Sequence, residues 1–149
     1  MALRVVFASD HTGLVLRAEA IRVARQKGFE VEDLGAFSAE SSDYPDFARR
    51  AGEVVAAGRA RFGILICGTG IGMSIAANKM KGIRAAHCTN EFEARMARAH
   101  NDANVLCMGE RVIGVGLAAS IVTVFLEQPF ESGGRHERRL NKVSGMEGA

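Results

Sequence analysis

Gly63-Ile64-Leu65-Ile66-Cys67-Gly68-Thr69-Gly70-Ile71-Gly72 decides how this chain is read. An apolar run ends in a cysteine, a glycine-rich turn follows at once, and Met73-Ser74-Ile75-Ala76-Ala77-Asn78-Lys79 continues as helix. A buried strand feeding such a turn and then a helix is how α/β proteins build anion sites. The glycines let the backbone curl until several N–H groups point at one spot. The unusual feature is the thiol at the mouth of the turn, where the helix dipole and the N–H groups stabilise thiolate. Cys67 therefore has two readings at this point: a base beside an oxyanion site, or a small apolar residue that ends a strand.

The strand-turn-helix unit repeats in kind on both sides. Leu3 to Ala8 lacks polar alternation and reads as a strand covered on both faces. Ser9-Asp10-His11-Thr12-Gly13 is the turn after it, and a helix runs to about Lys27 with Leu14, Ala18 and Ile21 on one face and Arg17, Arg22 and Arg25 displaced. Gly28 ends that helix, and Phe29 to Leu34 is the second strand. After a polar connection, Pro45 opens a helix to about Ala57 with Phe47, Ala48, Ala51, Val54 and Val55 at helical spacing. Phe62 to Ile66 is the third strand and Ile83 to His87 the fourth. Asn90-Glu91-Phe92-Glu93 has capping-box spacing, and Phe92, Met96 and Ala99 mark the face of the helix it starts. Asn104 to Met108 is the fifth strand, Ile113 to Leu126 a helix with Ile113, Leu117, Ile121 and Val124 in register, and Arg135 to Val143 a basic tail or short helix. The alternation predicts an α/β fold, a five-stranded parallel sheet with helices on both faces and right-handed crossovers. No linker or repeat divides it, so residues 1–149 read as one domain.

Composition narrows the function. With 48% hydrophobic and 24% charged residues the chain is an ordinary globular sequence, and a net charge of +2 argues against bulk nucleic-acid binding. No apolar run approaches membrane-spanning length, and the first strand begins too early to leave room for a signal peptide. Three widely spaced cysteines argue against a disulfide framework and for a reducing, cytoplasmic setting, with Cys88 and Cys107 as core thiols at strand ends. Neither CxxC nor HxxxH occurs, so no structural metal is expected.

In such a sheet the turns leaving strands share one edge, where ligands bind. Asp10, His11, Cys67, Thr69 and Arg111 all fall on it. His100 and Asn101 close a helix and belong near the opposite edge. His100 there either supports the helix C-terminus or reaches a site in another subunit, as a two-fold dimer permits. Arg135 and Arg139, four residues apart, are either a forked phosphate clamp or a solvated basic face. Arg138 reads as solvated, and His87 and His136 as structural.

With these residues in view, the chain resembles the B-type ribose-5-phosphate isomerases, relatives of the galactose-6-phosphate isomerase subunits. The resemblance runs from Leu3 to about Val143. It is carried by Ser9-Asp10-His11, Asp43-Tyr44-Pro45, the Cys67 to Gly72 turn, Ile75-Ala76-Ala77-Asn78-Lys79, His100-Asn101-Asp102-Ala103-Asn104-Val105-Leu106 and Gly133-Gly134-Arg135-His136. It implies a Rossmann-like three-layer α/β/α sandwich, no cofactor, and a homodimer, with tetramers left open, whose active sites are shared between chains. The implied reaction interconverts an aldose phosphate and a ketose phosphate, with ribose 5-phosphate and ribulose 5-phosphate as the pair. By the resemblance Cys67 is the base and His100 helps open the sugar ring. The same resemblance puts Asp10, His11, Gly68, Gly70, Ile71, Gly72, Asn101, Arg111, Arg135 and Arg139 on the substrate. Met73 stands where one branch of the family has a glutamate, which places this chain in the cysteine-base branch. Thr69 is expected either to orient an oxygen or to aid ring opening, and Arg111 to bind phosphate or hydroxyls. The competing readings are another aldose phosphate (galactose 6-phosphate, allose 6-phosphate or a tetrose phosphate) and a non-catalytic phosphate-binding module.

Overall fold

Val5, Val6, Phe7 and Ala8 are all fully buried, so the first strand is covered on both faces, as its unbroken apolar run requires. The structure is a computed structural model describing residues 2–148. Among those residues the order is β1 (Arg4–Ser9), α1 (Leu14–Gln26), β2 (Glu30–Asp33), α2 (Tyr44–Ala56), β3 (Phe62–Cys67), α3 (Ile71–Asn78), β4 (Ala85–His87), α4 (Glu91–Asn101), β5 (Val105–Gly109), α5 (Val115–Glu127) and α6 (Arg135–Ser144). The five strands form one sheet in the order β2-β1-β3-β5-β4, and every pairing is parallel. Side chains alternate across it. Val5, Phe7, Ile64, Ile66, Leu106 and Met108 share one core with α1, α4 and α5, while Val6, Ala8, Leu65, Cys67, Val105 and Cys107 share the other with α2 and α3. The chain leaves β1 outward to β2 and returns to β3 on its other side, so the C-terminal ends of β1 and β3 flank a topological switch point. The expected three-layer α/β fold is present, and the basic tail is a helix, α6, against α4.

Three helix faces differ from the expected ones, each because tertiary contacts override simple periodicity. In α1, Ala18 is exposed and Arg17 is buried. The Arg17 guanidinium binds the Ser9 hydroxyl, pairs with Asp33 at 3.1 Å and lies under the Phe37 ring. A charge is buried there because it ties the ends of β1 and β2 together. In α4 the buried face is Ala94, Ala97, Arg98 and Ala99, and Phe92 is 64% exposed. In α5, which starts at Val115, Ala118, Ile121, Val122, Phe125 and Leu126 are buried, whereas Leu117 is exposed and Val124 only half-buried. β4 is shorter than expected, with Ile83 buried outside it, and Cys107 lies inside β5 rather than at its end. The α4 cap is also modified. Asn90 accepts from the Glu93 N–H at 2.8 Å, but the Glu93 carboxylate reaches back to the N–H and hydroxyl of Thr89.

Candidate active site

β3 delivers Cys67 to the C-terminal edge of the sheet with 5% of its surface exposed. The chain then turns through Gly70, whose φ of 83° lies in the left-handed region. That conformation aims the Gly70 N–H back at the thiol, and it donates to Cys67 Sγ at 3.2 Å. Only glycine fits here. A β-carbon would lie 2.8 Å from His87 Cδ2 and 2.9 Å from the Met108 carbonyl carbon. Helix geometry leaves the N–H groups of Ile71, Gly72 and Met73 without intrahelical partners. The Ile71 N–H is taken by Thr69 Oγ1 at 3.2 Å. The Tyr44 ring lies against Gly72, where a β-carbon would come within 2.6 Å of it.

Two neighbouring turns close on this one. Arg111 donates its N–H to Gly68 O at 3.0 Å, and its guanidinium runs along Gly68, 3.5 Å from the β-carbon that glycine lacks. On the other side, Asp10 is nearly buried and spends one oxygen on Thr12, accepting the N–H at 2.9 Å and the hydroxyl at 2.5 Å. His11 and Ser42 bond reciprocally. The His11 N–H donates to Ser42 Oγ, and the Ser42 N–H donates to His11 Nδ1, both at 3.1 Å. With Nδ1 accepting, the ring proton of the neutral imidazole sits on Nε2, leaving that atom as a donor for a ligand.

The remaining residues gather elsewhere. His100 and Asn101 end α4, and with His136, Arg139, Leu140 and Val143 they line a cavity of about 220 Å³. The rings of His100 and His136 stack at 3.9 Å and 9°. His136 thus has a partner, which corrects the reading that left it as an unpartnered structural residue. His100 faces α6 and Glu131, while the end of α4 is closed by Asp102 in the left-handed region at φ 43°. Asp102 collects Arg98 at 2.8 Å, Arg84 at 3.3 Å and Arg61 at 3.5 Å. The register separates the two groups. Cys67 pairs with Gly109 and Gly63 with Val105, so the strand starts beside α4's end lie about 13 Å along the sheet from the thiol. The largest cavity described, about 670 Å³, also lies on the His100 side, between α3–β4 and α6, with Met80, Ile83, Leu140, Val143 and Met146 among its walls.

Comparison with known proteins bears on both groups. The profile of the family described as Ribose/Galactose Isomerase matches residues 5–143. The chain belongs to that family. It is 44% identical to ribose-5-phosphate isomerase B of Escherichia coli K12 over 144 residues, 97% of this chain and 96% of that one. Among solved structures it is similar to the Clostridium thermocellum ribose-5-phosphate isomerase B, with TM-score 0.94, 49% identity and 97% of each chain covered. It is also similar to the Trypanosoma brucei type B ribose 5-phosphate isomerase, with TM-score 0.95, 45% identity, and 98% of this chain and 99% of that one covered.

In this member of the ribose/galactose isomerase family, Met73 is fully buried beneath the turn and has no group that takes a proton. The other thiols are also poor candidates. Burial, with Glu93 adding to it, pushes Cys88 up to about 12, and burial drives Cys107 well above the ordinary thiol range. Ser42, beside His11, and Glu131, beside His100, come from loops with no motif of their own. Only the Asp-Tyr-Pro block hinted at Tyr44. Glu110, which accepts the Leu16 N–H at 2.8 Å and anchors the turn carrying Arg111, had no sequence signal at all.

Proposed function

We propose that this protein is an aldose–ketose isomerase that interconverts ribose 5-phosphate and ribulose 5-phosphate through a cis-enediolate. The observation that carries the reading is the Gly70 N–H on Cys67 Sγ, in a chain of the ribose/galactose isomerase family. Moving a carbonyl from C1 to C2 means removing a weakly acidic proton from carbon while negative charge collects on oxygen. A base at C2 and fixed donors at the oxygens are both needed. The Cys67 thiolate takes the C2 proton and returns it to C1, while the oxygen-bound proton passes from O2 to O1. The Gly72 and Met73 N–H groups, which have no partner within the helix, hold the developing oxyanion, one such donor being worth about 3 kcal/mol, while Gly68, Gly70 and Ile71 shape the turn that presents them to the substrate. Thr69 orients an oxygen, and the free Asp10 oxygen and Arg111 take hydroxyls.

The sugar is mostly cyclic and must first be opened, a task suited to a histidine near neutral pH. His100 performs it from a second copy of the chain. Arg135 and Arg139 of that copy, with His11, hold the phosphate, and Asn101 binds beside them. Two observations support a shared site: the separation of His100 from Cys67 along the sheet, and the groove with apolar walls beside α6. A two-fold dimer places each group of residues against the other's partner. The phosphate lies far from the reacting carbons, so its binding energy fixes reaction geometry. The three free cysteines suit a cytoplasmic enzyme. No helix is long and apolar enough to cross a membrane among the described residues.

The test is turnover of ribose 5-phosphate by the purified chain in deuterated water, beside a panel of other aldose phosphates. Deuterium entering at C2 of the recovered aldose and near-complete loss of turnover in Cys67→Ala are expected. Exchange that persists in that variant refutes the thiolate base, and preference for another sugar refutes the substrate.

A further inference from the structure

Proton abstraction and ring opening each have a side chain assigned above, but the passage of the hydroxyl proton from O2 to O1 has none. The backbone N–H groups of the turn donate to charge without releasing a proton. Thr69 Oγ1 accepts the Ile71 N–H at 3.2 Å, and the Ser74 hydroxyl donates to Ile71 O at 2.8 Å. Tyr44 stands in the right place. It opens α2, and α2 and α3 both follow strand ends on the same edge of the sheet and pack together. A β-carbon on Gly72 would lie 2.6 Å from Tyr44 Cε1 and Cζ and 3.0 Å from its Oη. In a helix the Cα–Cβ direction tilts toward the N-terminus. The phenol therefore sits at the end of α3 where the Gly72 and Met73 N–H groups emerge. Two residues earlier, Ser42 is bonded to His11, so the ring lies between that pair and the α3 turn. Pro45 and the Asp43 carbonyl, which accepts the Asp46 N–H at 3.2 Å, fix the backbone that carries it. With 38% of its surface exposed, Tyr44 is open to a ligand.

We propose that Tyr44 is a further catalytic residue whose hydroxyl relays the proton between the two oxygens of the enediolate. This rests on the isomerase reading above. A phenol hydroxyl donates and accepts, and it gives up its proton far more readily than the aliphatic hydroxyls of Thr69 and Ser74. In a cis-enediolate O1 and O2 lie side by side, so one hydroxyl serves both. As the Cys67 thiolate removes the C2 proton, the C2–H pair forms the C1–C2 double bond and the C1–O1 π pair moves onto O1. The phenol gives its proton to O1, and the phenolate takes the proton of O2. The O2 pair then forms the C2 carbonyl while C1 recovers a proton from the Cys67 thiol. Phenol and thiolate end as they began, and no other reactant is needed.

The test is Tyr44→Phe in the full-length protein, which removes the hydroxyl and keeps the ring on Gly72, so the melting temperature should not change. With ribose 5-phosphate, kcat should fall about 100-fold and KM should stay within about twofold. The decisive reading is made in deuterated water. An enediolate without its relay returns to the aldose more often than it goes on to the ketose. The ratio of C2-deuterated ribose 5-phosphate to newly formed ribulose 5-phosphate should therefore rise at least about tenfold over the unaltered protein. Wild-type kcat in Tyr44→Phe overturns the relay. So does a loss of kcat with an unchanged ratio, which would leave the hydroxyl a role in pocket shape alone. Failure of the isomerase reading shows separately, as C2 exchange that persists in Cys67→Ala. If another aldose phosphate is preferred, the same ratio measured on that sugar decides the role of Tyr44.

Discussion

Gly70→Ala is the sharpest perturbation of the site, because one added methyl acts on both the fold and the chemistry. At φ 83° a side chain pays about 1–2 kcal/mol for the left-handed conformation alone. The new carbon also meets His87 at 2.8 Å and the Met108 backbone at 2.9 Å. The imidazole can shift, but the Met108 carbonyl belongs to a central strand and cannot, so the turn itself moves. Together these put the stability loss at about 2–4 kcal/mol, or a melting temperature lower by roughly 5–15 °C for a chain of this length. Moving the turn takes the Gly70 N–H off Cys67 Sγ and misplaces the adjoining donors. Loss of one oxyanion donor costs about 100- to 1000-fold in turnover. The assays are calorimetry and steady-state isomerisation of ribose 5-phosphate below the melting temperature. A kcat drop with little change in KM is expected, since the proposed phosphate anchors, Arg135 and Arg139, lie on α6 away from this turn. A folded variant with wild-type kcat refutes the role assigned to the turn.

Gly116→Ala should act in the opposite sense. It lies inside α5 with open space around its α-carbon, so thermal unfolding should show about 0.5–1 kcal/mol of added stability. Ser42→Ala removes one half of the reciprocal pair with His11, and KM should rise several-fold while kcat holds, as read by initial-rate kinetics. Asp102→Ala leaves the buried Arg98 guanidinium without its carboxylate and should cost about 3 kcal/mol in chemical denaturation. For Cys88 the folded value, about 12, stands above the ordinary 9.0. The unfolded chain therefore binds fewer protons between those values, and stability should fall as pH rises above about 9, by up to about 1.4 kcal/mol per pH unit. A Cys88→Ala variant with the same alkaline slope contradicts this. Mixed dimers of Cys67→Ala and His100→Ala chains should regain turnover in one of their two sites, and verified mixed dimers without activity count against a shared site.

The sequence by itself determined the order of elements, the parallel sheet, the glycine turn and the strand-exit placement of Asp10, His11, Cys67 and Arg111. Those follow from local signals: apolar runs too long to alternate, glycines at positive φ, and the rule that ligands meet strand ends. Helix faces were less legible. Arg17 is inside and Phe92 outside because burial depends on what lies opposite, Ser9 and Asp33 in one case and no packed neighbour layer in the other. The stacking of His136 on His100, the capture of both by Glu131, and the seating of Tyr44 on Gly72 were decided only by the tertiary structure. Periodicity reports which residues share a face of one element. It carries no information about which side chains from separate elements meet once the layers pack.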